Sequence, residues 1–193
     1  MKQGKQQIPT KEEELLRHKI YENPIERMNR IIRPVYPGAN PKDVRNEAFF
    51  DTSWMKEDEI NLKLIRTVAG NEEEGLVPAY HFIICGLDGT EYGYCDLRIG
   101  YNENVYYGGN IGYGILEQFR GHHYAGKACR LLFELARRHN MSYVIITCNP
   151  DNSASKKTCE YCKGELLGIE KIPTYHNMYR EGEREVCIYR FTL

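Results

Sequence analysis

"GNIGYGILEQFRGHHYAGKACRLLFELARRHNMSYVIITC", residues 109–148, changes its periodicity twice. It opens as an apolar strand over 109–116. It passes a basic, glycine-bearing turn and becomes helical near His122. Tyr124, Ala128, Leu131, Leu132, Leu135 and His139 recur at spacings of three and four, one apolar stripe. Lys127, Arg130, Glu134, Arg137 and Arg138 fall off the stripe. "SYVIITC" (142–148) then runs apolar without alternation, as a strand covered on both faces does. A strand, a crossover helix and a second strand predict an α/β fold.

The turn before the helix is unusual in what it lacks. Helix N-termini leave backbone N–H groups without partners, and Ser, Thr, Asp or Asn normally satisfies one of them. None of these occurs between Arg120 and Gly126. Gly121 allows close backbone approach, and Arg120 and Lys127 bring positive charge. Uncapped N–H groups at the positive end of a helix dipole, beside two cations, suit an anion such as a phosphate. The plainer reading is a solvated helix start, and on the local pattern the two are evenly matched.

Working outward, "EINLKLIRTV" (59–68) alternates with period two, and "AYHFIIC" (79–85) and "EYGYCDLRI" (91–99) are further strands. "LDGT" (87–90) between the latter two is a hairpin turn. An Asn/Gly-rich loop leads on to the strand at 109–116. After the strand at 142–148, "NPDNSASKKTCEYCKG" predicts a turn, a cap at Asn152, a short helix and a terminating Gly164. Strands at 165–172 and 185–193 close the order ββββαβαββ. The first 58 residues differ: "KEEELLRHKIYE" (11–22) suits a short helix, and Pro24, Pro34, Pro37 and Pro41 rule out long regular elements after it. The expected organisation is an N-terminal arm with short helices over 1–58, packed on a core domain over 59–193.

Composition narrows the class. The chain has 193 residues, 41% hydrophobic and 27% charged, with a formal net charge of −1. That balance disfavours a nucleic-acid-binding role, which usually carries excess positive charge. No apolar run approaches the ~20 residues of a membrane span, and the first residues lack a secretory apolar core. The seven cysteines, an odd number, read as reduced thiols in a cytoplasm. Cys148, Cys159 and Cys162 with His122 or His123 could be considered for zinc. Without a second C-x-x-C pair the spacing is weak, and no metal is expected.

The order ββββαβαββ, with "GNIGYGILEQFRGHHYAGKA" followed ~30 residues later by "NPDNSASKKTCEYCKGELLG", resembles the GNAT N-acetyltransferase superfamily over about 59–193. The resemblance implies a mixed, mostly antiparallel sheet flanked by helices. It further implies acetyl-CoA as cosubstrate, and as acceptor an amine of a small molecule or a protein. The family's Q/R-x-x-G-x-G/A motif reads Arg120-Gly121-His122-His123-Tyr124-Ala125, with His123 where the family has glycine. With Gly126 and Lys127 this stretch would hold the pyrophosphate. Asn152 and Ser155 match the second motif and would lie near the pantetheine and adenosine arms, and Ile115 and Leu116 would bind the pantetheine amides. The family's acid, a tyrosine seven residues after the Asn, is Cys159 here; Tyr161, two residues on, is the candidate acid, and Cys159 as a nucleophile would need a nearby base. The fourth strand offers no obvious base; Asp96, Glu117 and His176 are substitutes, none favoured over the others, and proton loss relayed through water is an equal alternative. Tyr113 adjoins the same site, and the loop "PTYHNMYREGE" (173–183) would line the acceptor mouth. The family also places helices between its first two strands, where only "AGNEEEGLVP" (69–78) is present. Gly126→Asp is expected to weaken coenzyme A binding and spare the fold. A homodimer is compatible with this reading. The competing readings are a non-catalytic acyl-CoA-binding or interaction module and, less favoured, a metal-dependent hydrolase.

Overall fold

The computed structural model describes residues 48–193. The predicted helix at 11–22 and most of the 1–58 arm lie outside them. The described chain runs β1 (Lys56–Glu57), β2 (Ile60–Val68), β3 (Ala79–Gly86), β4 (Glu91–Arg98), α1 (Glu103–Gly108), β5 (Ile111–Ile115) and a 3-10 turn (Glu117–Phe119). It continues through α2 (Tyr124–Arg138), β6 (Tyr143–Cys148), α3 (Ser153–Tyr161), β7 (Glu165–Lys171), α4 (Asn177–Arg180) and β8 (Glu185–Thr192). Every strand and helix of the order ββββαβαββ is present. The segment 69–78 forms no helix, only a turn closed by an Asn71–Leu76 bridge.

Two antiparallel sheets build the molecule. One has the order β1-β2-β3-β4-β5 and the other β6-β8-β7. On the first, Ile60, Leu62, Tyr80, Phe82, Ile84, Cys95, Leu97 and Ile111 point to one face. The apolar stripe of α2 covers that face, with Ala128, Leu132 and Leu135 fully buried. Each such leucine contributes about 1.5–3 kcal/mol on burial. The α2 helix also reaches the second sheet, where Val144 and Ile146 of β6 join the same core. Tyr143 and Ile145, on the other face of β6, join a second core with Tyr106 and Tyr107 of α1. This is the two-sided cover that the apolar run at 142–148 predicts.

Two local expectations are corrected. The loop before β5 contains α1, capped by Asn102, whose side chain accepts from the Val105 N–H at 2.9 Å. And α3 does not end on a left-handed Gly164. Lys163 takes that conformation, with φ 61°.

The sheets meet at one end. The Asn110 N–H donates to the Ile145 carbonyl at 2.7 Å, and the Ile145 N–H donates to Asn110 Oδ1 at 2.9 Å. Past that point no ladder among the described residues joins β5 to β6, so the two strands part and leave a cleft between the sheets. The start of α2 and the start of α3 flank it.

Candidate active site

The cleft has an unpaired strand edge as one wall. At one end of the β4–β5 ladder Arg98 N–H donates to the Asn110 carbonyl, and at the other Leu116 N–H donates to the Tyr92 carbonyl. The register between them is unbroken. In an antiparallel pair, hydrogen-bonded and non-bonded positions alternate. Residues 110, 112, 114 and 116 therefore turn their backbone groups to β4. Ile111, Tyr113 and Ile115 turn theirs to the cleft. Arg120 Nε takes the Ile115 carbonyl at 3.2 Å. Among the expected pantetheine contacts, Ile115 is on the open edge and Leu116 is not. The Leu116 N–H is bonded to β4 and its carbonyl accepts from the Phe119 N–H at 2.9 Å. Tyr113 takes its place on that edge, which spacing alone does not reveal.

The second wall is the turn into α2. His123 is the residue before the helix, with φ 60° and ψ 20°, and its side chain makes no capping bond. The residue that stands where the motif expects glycine thus takes the left-handed conformation that suits glycine. The first intrahelical bond from this end runs from the Lys127 N–H to the His123 carbonyl at 3.0 Å. The N–H groups of Tyr124, Ala125 and Gly126 precede it and have no helical acceptor. Gly121, also at positive φ, stands clear of other atoms. These donors at the positive helix end suit a pyrophosphate.

Side chains brace this turn rather than fill it. The His123 ring stacks on Tyr161 with centroids 4.5 Å apart, and His122 stacks on Tyr124. Lys127 ion-pairs with Glu59, and Arg130 with Glu57. The charge expected at the cradle from Lys127 is therefore engaged by β1–β2. Arg130 also donates to the Tyr161 hydroxyl at 3.0 Å. Tyr161 thus lies at the cradle, 39% exposed, and not in the cleft as an acid. Its ring packs on Gly126, where a Cβ would come within 2.4 Å of Tyr161 Cδ1. Gly126→Asp is consequently not a substitution that spares the structure, contrary to the expectation from sequence.

At the start of α3, Asn152 is the helix cap, its side chain accepting from the Ser155 N–H at 3.0 Å. Ser155 faces the opposite wall, its hydroxyl 2.9 Å from Tyr113 Oη. Burial pushes the Tyr113 hydroxyl well above the ordinary tyrosine range, so it is held protonated. Cys159 is fully buried, and burial pushes its thiol up to about 12. It is a neutral thiol that touches Tyr113, not a nucleophile. The tyrosine hydroxyl absent from position 159 is thus present beside it, delivered from β5.

Asp96, on β4, lies on the sheet face away from α2. Glu117 is exposed on the 3-10 turn. His176 is buried in the loop before β8, where it caps α4 and packs edge-on against Tyr107. Burial lowers its imidazole pKa. Among the described residues no cluster of three His, Cys, Asp or Glu side chains is placed to hold a metal, and no helix is long and apolar enough to cross a membrane.

A family model for the acetyltransferase (GNAT) domain matches residues 28–164. No curated protein matches the chain in sequence. Among solved structures, RimL, a ribosomal L7/L12 alpha-N-protein acetyltransferase, in complex with coenzyme A, is 17% identical with a TM-score of 0.51. The match covers 71% of this chain and 96% of that one. An acetyltransferase from Salmonella typhimurium that modifies the N-terminal serine of ribosomal protein L7/L12 is 23% identical, TM-score 0.47, over 63% of this chain and 67% of that one. The microcin C7 self-immunity acetyltransferase MccE, in complex with acetyl-CoA and AMP, is 21% identical, TM-score 0.46, over 64% of each. At these identities the likeness is one of fold.

Proposed function

The chain belongs to the GNAT acetyltransferase family, and from that premise we propose that it moves the acetyl group of acetyl-CoA to an amine of a small molecule or a protein. The observation that carries this reading is the junction of two backbone surfaces with no ladder or helical partner, of which only the Ile115 carbonyl is taken, by Arg120. The left-handed turn at His123 opens the first turn of α2, and the free edge of β5 at Tyr113 and Ile115 runs toward it. The N–H groups of residues 124–126 would hold the pyrophosphate. The Tyr113 and Ile115 edge would pair with the pantetheine amides in place of a neighbouring strand. One N–H of that edge would take the thioester carbonyl oxygen and stabilise the negative charge it develops on attack.

The leaving thiolate needs only modest help, since thiols ionise near ~8.5. Tyr113 is placed to supply it, protonated, half-buried and hydrogen-bonded to Ser155. Ser155 then acts through Tyr113. Holding both reactants in one cleft supplies the rest by proximity.

The test is a coenzyme A titration followed by a thermal scan, then acetyl-CoA with a panel of alkyl amines and peptide N-termini, read by release of the free thiol. A ligand at 100 times its Kd stabilises the native state by about 2.7 kcal/mol. A rise in Tm with coenzyme A and amine-dependent thiol release are expected. No shift at saturating coenzyme A overturns the reading. Binding without turnover on any acceptor makes the chain an acyl-CoA-binding module instead.

A further inference from the structure

β5 carries glycines at 112 and 114, where side chains would point away from α2. The space over Gly112 is already occupied. A Cβ there would come within 2.6 Å of Asp96 Oδ1, so the Asp96 carboxylate, from the neighbouring strand, lies on the face of β5 at that position. Asp96 and Gly112 are direct cross-strand partners, which explains the reach.

The carboxylate is 9% exposed, and its Oδ2 is buried with no hydrogen-bond partner among the described residues. Its counter-charge there is Arg98, 3.2 Å away, whose own NH1 is spent on the Gly108 and Gly109 carbonyls. From β3 the directly facing residue is His81, and β5 brings only Gly112. Oδ2 is thus held by the Arg98 guanidinium, and Oδ1 is the oxygen that lies over Gly112. The neighbouring residue on β5, Tyr113, presents its backbone N–H on the open edge.

We propose that Asp96 is the proton acceptor for an alkyl ammonium acceptor substrate, reaching across the strand to a position where β5 itself has only glycine. This rests on the acetyltransferase reading above. The ammonium gives one proton to Asp96 Oδ1, the oxygen over Gly112. The freed nitrogen lone pair attacks the thioester carbon, forming the C–N bond, and the carbonyl oxygen takes up the negative charge at the β5 edge. Collapse breaks the C–S bond, the thiolate leaves with that electron pair, and the Tyr113 hydroxyl protonates it. The second ammonium proton passes through water to the Tyr113 phenolate, restoring its hydroxyl, and Asp96 returns its own proton to solvent.

Two small amines of similar shape separate a base from a structural role. Ethylamine is an ammonium at pH 7 and must be deprotonated, whereas trifluoroethylamine is already largely neutral. For Asp96→Asn, kcat/KM for ethylamine should fall about 100-fold at pH 7, the lower end of what a positioned base supplies, and recover as pH rises. Trifluoroethylamine should lose less than about threefold, and coenzyme A binding should not change. Gly112→Ala, whose Cβ displaces the carboxylate without removing it, should show the same selective loss and serves if Asp96→Asn does not fold. An equal fall for both amines, or none for either, overturns the assignment. Wild-type protein that binds no coenzyme A, or acetylates neither amine, overturns the acetyltransferase reading with it. Wild-type protein that acetylates trifluoroethylamine alone overturns only the role of Asp96.

Discussion

His123 holds a backbone conformation that suits glycine. A left-handed non-glycine residue costs roughly 1–2 kcal/mol. Its ring stack on Tyr161, near-parallel at 14°, contributes about 0.5–1.5 kcal/mol in return. The two nearly cancel, which accounts for a histidine surviving at that position. His123→Gly should therefore change stability by less than about 1 kcal/mol and coenzyme A affinity by less than about threefold, because its ring is taken up by the Tyr161 stack. His123→Val keeps the strain, loses the stack and is β-branched. It should cost about 1–3 kcal/mol in a urea melt and weaken coenzyme A binding by calorimetry. Equal, large losses of affinity in both variants would mean that the imidazole itself contacts the ligand.

Close beneath the same turn, Cys162 Sγ lies 3.5 Å from the Gly126 carbonyl. The buried Cys129 thiol donates toward it and Arg130 adds positive charge, and together they lower its pKa from 9.0. A depressed pKa keeps Cys162 a thiolate at pH values where a free cysteine is protonated. Among the described cysteines Cys162 is half-buried and the other six are buried. Iodoacetamide at pH 7 should therefore label Cys162 first by mass mapping, with the rate falling off only at lower pH than for a free thiol. Cys159, pushed up by burial, should stay unlabelled in native protein.

At the scale of the element, α2 separates what binds from what braces. Its N-terminal cations, Lys127 and Arg130, are engaged by acidic residues on the β1–β2 hairpin, so anion affinity rests on backbone N–H groups and the dipole. Lys127→Ala should weaken coenzyme A binding by less than about threefold, with little change in its salt dependence. Arg120→Ala should cost about tenfold, because Arg120 also satisfies the Ile115 carbonyl at the cleft edge. A larger effect at Lys127 than at Arg120 by calorimetry would reverse this assignment.

The same element shows what a sequence makes legible. The stripe of α2 and the turn before it are local: every residue that defines them lies within 20 positions, from Arg120 to His139. The helix α1 is not legible, because six residues ending in glycine have little helical preference of their own. It exists because Asn102 caps it and Tyr106 and Tyr107 pack on β6. The exchange of Leu116 for Tyr113 turns on which residues of β5 bond to β4. That alternation is set by Arg98–Asn110 pairing, and it leaves no mark in spacing. The tyrosine supplied beside Cys159 and the carboxylate supplied over Gly112 are likewise contacts between strands, visible only once register is known.

At the scale of the molecule, two sheets must hold a cleft open at one end and closed at the other, and Asn110 is the closure. It is fully buried and uses every polar group it has. Its side-chain amide donates to the Arg98 and Gly100 carbonyls at 3.0 and 2.9 Å, while its Oδ1 and N–H bind Ile145 across the gap. A lysine or glutamate here could serve chemistry but could not tie three segments together. Asn110→Ala removes three side-chain hydrogen bonds and strands two carbonyls and one N–H in the interior. Each stranded group costs about 1–3 kcal/mol, so a loss of roughly 3–5 kcal/mol in urea unfolding is expected after partial relaxation. The backbone bond from residue 110 to the Ile145 carbonyl survives the change, so the protein should still fold with both sheets. The Ile145 amide has lost its acceptor, and its hydrogen exchange should accelerate while that of the β3–β4 ladder moves only with global stability. A cleft whose closed end is loosened holds its ligand less well, so coenzyme A affinity should fall although residue 110 touches no part of the proposed cradle. If stability drops by less than about 1 kcal/mol and Ile145 exchange is unchanged, then α1 and α2 set the spacing of the sheets by packing alone, and Asn110 is a passenger.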